Sequence, residues 1–141
     1  KKVTQNGTVT SHERYLYRGY LQIAALDMLN SRNVLRTLLW DPLEPMATRP
    51  LALVQGASLY CYGTDFNKNV SEVFDAQGTI AAAYDYSPYG TATRTGRLVQ
   101  PVQWSGEMHD EELALAYYNY RFYNPKDGSW INRDPLLNRG G

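Results

Sequence analysis

The sequence is poor in the residues that mark several common functions. Among its 141 residues Cys61 is the only cysteine, which excludes an internal disulfide and a cysteine-based zinc site. The 14 Lys and Arg residues are balanced by 14 Asp and Glu residues, which argues against a chain whose main work is to grip a nucleic-acid backbone. No apolar run approaches the roughly 18–20 residues that span a bilayer. The serines lack a nucleophile-elbow context and the glycines lack a phosphate-binding spacing.

What the chain does contain is typical of a globular β-protein. Hydrophobic residues make up 43% of it, which is too apolar for general disorder, and its length suits one domain or part of a larger one. Tyrosine is abundant, with 12 Tyr against 3 Phe, and tyrosine favours half-buried sheet surfaces. Short β-prone runs alternate with turn residues. They predict antiparallel strands at residues 13–20, 21–26, 34–40, 51–54, 59–62, 70–74 and 79–86.

The chain is predicted to fall into three parts. Residues 1–86 form the β-meander, residues 87–103 form a loop rich in Gly, Pro, Thr and Arg, and residues 104–141 form a closing segment. In the closing segment we predict strands at residues 114–122 and 129–131, separated by a turn at residues 125–128. Residues 107–120 also contain good helix formers, but the run of aromatic residues from Tyr117 to Tyr123 favours strand over helix.

A short internal repeat is the most informative pattern in the sequence. An aromatic residue followed by Asp occurs at Phe74-Asp75 and Tyr84-Asp85, each before a turn that contains glycine, and Trp40-Asp41-Pro42 has part of the same pattern. The ring would pack on the sheet, and the carboxylate would accept backbone N–H bonds across the turn. The pattern therefore predicts a ribbon of stacked hairpins.

Longer motifs give the chain a specific resemblance. It resembles the Rhs repeat-associated core domain of the tyrosine-aspartate (YD) repeat family, which also includes toxin-complex C components and teneurin shells. The matching segments keep the order and spacing of the family's motifs. They are residues 84–90 (Y-D-Y-S-P-Y-G), residues 104–110 (W-S-G-E-M-H-D), and the closing motif formed by residues 117–125 with Gly128, Trp130 and Arg133-Asp134-Pro135. Where the family has Thr-Gly before the tyrosine run, this chain has Glu112-Leu113-Ala114.

The resemblance implies a fold and a function. The fold would be all-β, an antiparallel hairpin ribbon that forms part of a larger β-cocoon. The chain would be a structural segment of a shell that encapsulates and presents a C-terminal polymorphic toxin. As a shell fragment it should expose a sheet edge, and alone it should self-associate or be unstable.

The resemblance also points to two catalytic residues. In toxin-complex relatives the protein cleaves itself by aspartyl-type chemistry, and Asp134 with its helper Arg133 matches the family's Arg-Asp-Pro. The partner acid and the cleaved bond are expected beyond Gly141, so the isolated chain would be catalytically silent. The alternative for Asp134-Pro135 is an Asx turn that ends a strand.

Two other groups of residues allow further interpretations. His109-Asp110-Glu111-Glu112 could bind a divalent metal and support a hydrolase, but an acidic turn is favoured. The tyrosines at positions 60, 62, 84, 86, 117 and 118 could bind cell-surface glycans in an adhesion module without proteolysis, but cross-strand packing is favoured. Cys61 is expected to be a packed residue rather than a nucleophile.

These arguments define the expected partners and location. We predict no cofactor and no metal. The predicted partners are the rest of the shell and a C-terminal toxin domain, with cell-surface glycans as a further candidate. Nucleic acid is not expected as a partner. The start of the sequence, Lys1-Lys2-Val3-Thr4, does not read as a signal peptide. We therefore expect an excised or processed piece of a protein that is secreted or associated with the cell surface.

Overall fold

The structure, a computed structural model, describes residues 1–19, 21–42, 49–110, 112–118 and 121–131. These residues form two antiparallel sheets and one short 3₁₀ turn, Trp104–Gly106, and contain no α-helix. The large sheet consists of β1 (Lys2–Gln5), β2 (Thr8–Arg18), β3 (Leu21–Asp27), β4 (Asn33–Trp40), β5 (Pro50–Gln55), β6 (Ser58–Thr64), β7 (Val70–Asp75), β8 (Ile80–Tyr86) and β9 (Ala92–Gly96). The small sheet consists of β10 (Met108–Asp110), β11 (Leu115–Tyr118), β12 (Arg121–Asn124) and β13 (Ser129–Ile131). The predicted all-β fold is confirmed.

Strand order in both sheets follows chain order, so each strand pairs with its neighbours in sequence. The large sheet is therefore a ribbon of consecutive hairpins. Within the described residues, β1 and β9 each have a strand on one side only, which gives the ribbon the two open edges expected of a fragment. Register shifts interrupt six of the eight pairings in this sheet. Such bulges bend and twist a sheet locally.

Side-chain oxygens close the hairpin turns of the ribbon. The Asp75 carboxylate accepts the backbone N–H groups of Gln77 at 3.0 Å and Thr79 at 2.9 Å, as the aromatic-Asp pattern predicts. Asp65 accepts the N–H groups two and four residues later in the same way, at 2.8 and 3.0 Å. The prediction is wrong for Asp85, because this residue lies inside β8 with its side chain exposed. Ser87 takes over the role there, and its hydroxyl accepts the N–H of Thr91 at 2.9 Å.

One face of the large sheet is buried and the other is open. Cross-strand pairs such as Leu38–Leu53 and Val73–Ala82 place core side chains on the same face. On the opposite face several large apolar side chains are between about two fifths and three fifths exposed, namely Leu16, Val34, Leu39, Val54, Leu59 and Ile80. Cys61 also lies on the open face, so the prediction that it is packed is wrong.

Three predictions of secondary structure need correction. Residues 87–103 were predicted to be a loop, but they contain β9, which pairs along its whole length with β8. Residues 114–122 were predicted to be one strand, but they contain β11 and the start of β12, which run antiparallel. Strands β1 and β10 were not predicted. Both are short and rich in charged or polar residues, so they lack the β-branched and aromatic residues that usually indicate a strand.

The preference for strand over helix in residues 107–120 is confirmed, because this stretch contains β10 and β11. Between these strands Asp110 accepts the N–H groups of Glu112 at 3.1 Å and Leu113 at 3.0 Å. Ala114 follows in the left-handed region with φ of +54°. This conformation costs an L-residue free energy and costs glycine none, so the family's Thr-Gly pattern falls on a turn that favours glycine.

Replacing Asp75 by alanine should lower the free energy of unfolding by about 1–2 kcal/mol, because two backbone donors lose a charged acceptor. The matched control is Asp85→Ala, which removes the carboxylate of the other aromatic-Asp pair and should change stability by less than about 0.5 kcal/mol. Urea unfolding of both variants measures the difference. Equal losses would show that the turn hydrogen bonds carry no special weight.

Replacing Ala114 by glycine should raise the free energy of unfolding. Left-handed backbone costs an L-residue about 1–2 kcal/mol. The greater chain entropy of glycine in the unfolded state offsets part of this, which leaves a gain of about 0.5–1 kcal/mol. Ala116→Gly, at a buried position in β11, should instead destabilise the chain. A loss of stability in Ala114→Gly would contradict the prediction.

Candidate functional site

The two sheets meet around a cavity of about 340 Å³. Its floor is the buried face of the large sheet, from β2 to β5, and its roof is formed by β10, β11 and β12. The segment that joins the sheets, including Val99, Gln100 and Pro101, forms one side. This is the size of a site for a small ligand or for a few residues of a peptide.

The floor of the cavity follows from strand alternation. On β2, residues Glu13, Tyr15 and Tyr17 alternate with outward-facing residues and line the cavity together. Across the sheet, Tyr15 is paired with Ala25, and Ala25 is paired with Arg36. The fully buried Ala25 is small, so it leaves space between the phenol and the guanidinium group.

A charged group of three side chains lies on this floor. Arg36 Nη2 is 3.4 Å from Glu13 Oε1, and the Tyr15 hydroxyl donates a hydrogen bond of 2.7 Å to Glu13 Oε2. Both charged side chains are mostly buried. Burial and the neighbouring carboxylate raise the pKa of Tyr15 above its usual value, so the phenol remains a hydrogen-bond donor in alkaline solution as well.

Two glutamines beside the cavity differ in how their amides are satisfied. Gln100 is buried and uses both ends: its amide nitrogen donates to the Tyr84 hydroxyl and to the Val102 carbonyl, and its oxygen accepts from the Tyr62 hydroxyl and the Val102 N–H. These four bonds fix the connecting segment on the core. Gln22 is 4% exposed, yet no described residue donates a hydrogen bond to its Oε1. Likewise, no described residue accepts a hydrogen bond from the buried Arg36 Nε.

One rim of the cavity joins the start of the chain to the small sheet. The ammonium group of Lys1 forms ion pairs with Asp110, at 3.2 Å, and with Glu112. Burial would raise the pKa of Asp110, but the Leu113 N–H and Lys1 outweigh it and hold this pKa below its ordinary value. Two carboxylates of the predicted acidic cluster, Asp110 and Glu112, thus bind an ammonium group. Among the described residues no group of three His, Cys, Asp or Glu side chains is placed to hold a metal.

Three of the motifs noted in the sequence come into contact in the folded chain. A Cβ added to Gly90 would lie 2.5 Å from the indole of Trp104, so this glycine lets the ring pack flat on the backbone. Trp104 also packs on Tyr86, with ring centroids 5.5 Å apart. In the closing motif Gly128 lies against the Tyr89 ring, and the Tyr123 hydroxyl donates to the Tyr89 carbonyl at 2.7 Å.

Two predictions about functional residues remain, the catalytic pair and the glycan-binding tyrosines, and the structure tests only the second. Arg133 and Asp134, the predicted catalytic residues, lie outside the described residues. The tyrosines considered for glycan binding include Tyr62 and Tyr84, whose hydroxyls bond to Gln100 in the core. The packing interpretation is therefore confirmed for these two rings. Sequence reasoning missed Gln22, Arg36 and Glu13, because single polar residues in β-prone runs carry no motif.

Comparisons with known proteins agree with this architecture. No protein-family model matches the chain. It is similar to the double-stranded DNA deaminase toxin A of Burkholderia cenocepacia, with 33% identity over 62% of this chain and 6% of the relative. It is also similar to the toxin protein Tse5 of Pseudomonas aeruginosa, with 45% identity over 30% of this chain and 3% of the relative. The chain thus spans a small fraction of the relatives it matches.

Among solved structures, the crystal structure of TcdB2-TccC3 matches 96% of this chain and 7% of the solved chain, with a TM-score of 0.68 and 21% identity. The fold is therefore that of a YD-repeat shell. Together with the toxin relatives, this match confirms the resemblance to Rhs and YD-repeat proteins that the closing motif indicates.

The described residues contain no helix that is long and apolar enough to cross a membrane.

Replacing Gly90 by alanine should destabilise the chain more than replacing Gly78 by alanine. Both glycines have left-handed φ, +97° and +82°, but a Cβ at Gly78 would meet no atom within 4 Å. Gly78→Ala should therefore lose only about 0.5–1 kcal/mol, which is the left-handed cost less the unfolded-state entropy of glycine. Gly90→Ala should lose about 1–3 kcal/mol more through its clash with Trp104. Thermal or urea unfolding measures both, and equal losses would contradict the packing of Trp104 on Gly90.

Proposed function

We propose that this chain is a structural segment of an Rhs/YD-repeat shell that encapsulates and presents a C-terminal polymorphic toxin. The observation that carries the proposal is the match of 96% of the chain to the shell fold. The toxin names of two relatives support the cargo class. By the same reasoning the intact protein would be secreted or associated with the cell surface.

The open edges of the ribbon support a role as part of a larger wall. Unpaired edge strands offer free N–H and C=O groups that other strands can bind, so isolated sheets of this kind tend to associate. Further hairpins of the same ribbon would pair with β1 and β9 and remove these edges. The exposed apolar face, from Leu16 to Ile80, would then lie on one surface of the wall.

The second part of the proposal is that the closing motif contributes to aspartyl-type self-cleavage in the intact protein. Such chemistry needs two carboxylates with different proton affinities, one to activate water and one to protonate the leaving amine. Asp134 would supply one of them, and Arg133 would stabilise negative charge. Support for these roles comes from the match to the family's Arg-Asp-Pro motif.

A glycan-binding role without proteolysis is the less supported alternative. It needs exposed aromatic rings with free hydroxyl groups. Tyr62 and Tyr84 lie in the core, and the Tyr86 hydroxyl donates to the Val70 carbonyl at 2.6 Å. These rings are committed to packing.

The intact mass of the protein, expressed in its natural reading frame beyond Gly141, tests self-cleavage. We expect two fragments from the unaltered protein and one uncleaved chain from Asp134→Asn, because an amide cannot exchange the proton. The matched control is Asp127→Asn, since Asp127 is an exposed turn residue of the same motif and should not affect cleavage. An Asp134→Asn protein that is cleaved normally would remove Asp134 from the mechanism.

Encapsulation is tested separately by limited proteolysis of the uncleaved Asp134→Asn protein. A toxin domain inside a shell should resist a protease that digests the same domain when it is expressed alone. Rapid loss of the domain from the intact protein would contradict encapsulation, whatever the outcome for cleavage.

A further inference from the structure

Three hairpin turns of the large sheet share one five-residue geometry, namely residues 65–69, 75–79 and 87–91. In each turn a side-chain oxygen of the first residue, Asp65, Asp75 or Ser87, accepts the N–H of the fifth residue. The carbonyl of the first residue accepts the N–H of the fourth, and the fourth residue has left-handed φ, at +65°, +82° and +97°. The side chains of the second and third residues form none of these bonds, so the turn does not decide what they are.

The first of these turns presents a large apolar side chain to solvent. Phe66, its second residue, is fully exposed. The second residue of the matching turn is Ala76, so the turn itself does not require an aromatic ring. The Phe66 turn is also fastened in place, because the buried Asn69 donates to Asp65 at 3.0 Å and accepts the Ser105 N–H at 2.7 Å. A ring held on a fixed turn is preorganised for binding, since little conformational entropy remains to be lost.

The third of these turns shows how an aromatic ring is covered at the same border of the ribbon, a border being the side at which strands end. Strands in chain order place alternate turns at the same border, so the first and third turns share one border and the second lies at the other. Tyr89, in the third turn, packs on Gly128 between β12 and β13, where an added Cβ would lie 2.7 Å from the ring. The absent side chain of this glycine makes room for the ring. A glycine turn of another hairpin is therefore a surface that fits an aromatic ring at this border.

Phe66 has no such cover in the part of the chain that the structure describes. The dimensions of the ribbon indicate what would supply it. A seven-residue strand such as β6 is about 23 Å long, and the ribbon is no wider than its strands. A shell of larger size needs stretches of ribbon placed side by side, border against border. The border that carries Phe66 would then face the turns of another stretch.

We propose that Phe66 is an anchor residue that packs on a glycine-containing hairpin turn of another part of the same shell, in the way that Tyr89 packs on Gly128. The inference rests on the proposed function, which supplies that other part. It adds the residue through which two stretches of ribbon meet and the chemistry of the surface that receives it. That surface is backbone without a side chain, on which a ring that has no hydrogen-bonding group can lie flat.

Hydroxyl-radical oxidation of the unaltered full-length protein tests whether Phe66 is covered. Mass spectrometry measures the oxidation rate of the Phe66 side chain in the native protein and in the peptide that trypsin releases from it. A fully exposed ring would oxidise at nearly the same rate in both, whereas we expect strong protection in the native protein. No substitution is involved, so a folding defect cannot imitate the result.

Photo-cross-linking identifies the surface that covers the ring. Phe66, or its neighbour Asn67, which is also exposed, is replaced in the full-length protein by the photo-reactive aromatic residue p-benzoylphenylalanine. We expect position 66 to give one main product, with a glycine-containing hairpin turn far away in the same chain, and position 67 to give little of it. Replacing the glycine of that turn by leucine should abolish the product, because a side chain then fills the space for the ring.

The outcomes separate the inference from the function on which it rests. Protection of Phe66 and a cross-link from position 66 to a glycine turn of the same chain support the anchor. An unprotected Phe66, equal cross-linking from both positions, or a product with a second copy or with a segment that lacks such a turn overturns the anchor, while protease resistance of the toxin domain still supports encapsulation. Rapid digestion of the toxin domain overturns encapsulation alone, because the contact between two stretches of ribbon is measured directly.

Discussion

Hydrogen bonds from side-chain oxygens to turn amides set the geometry on which the rest of this ribbon depends. Asp65 and Asp75 each hold two backbone N–H groups, and Ser87 holds one. A fixed turn fixes the register of its two strands, and register decides which side chains face the core. A shift by one residue at Asp75 would exchange buried Val73 for Phe74 and expose the core.

The small sheet and its connection to the large one depend on close backbone approach. Gly90 admits the indole of Trp104, and Gly128 admits the ring of Tyr89. Gln100 then links the connecting segment to the hydroxyls of Tyr62 and Tyr84. The abundant tyrosine thus serves a purpose that phenylalanine could not, because the rings pack in the core while their hydroxyls tie separate segments together.

Much of the fold could be predicted from the sequence, and the limits have physical causes. The turn role of Asp75 and the turn at residues 125–128 were predictable because local chemistry decides them. The same aromatic-Asp pattern at Asp85 gave a wrong prediction. Only the position of the strand end decides whether such an Asp lies in a turn or in a strand, and the pattern does not show where the strand ends. The charged floor of the cavity was not predictable, because Glu13 and Arg36 are 23 residues apart and meet only through the pairing of β2, β3 and β4.

Strand order that follows chain order has a consequence for synthesis. Each hairpin of the large sheet can pair with the one before it as soon as it leaves the ribosome, since no strand waits for a distant partner. The long-range contacts form later: the Val70 N–H binds the carbonyl of Gln103 in the connecting segment, and Lys1 pairs with Asp110 of the small sheet. Closure over the cavity therefore follows the pairing of the large sheet, so translation itself sets the order in which the two sheets assemble.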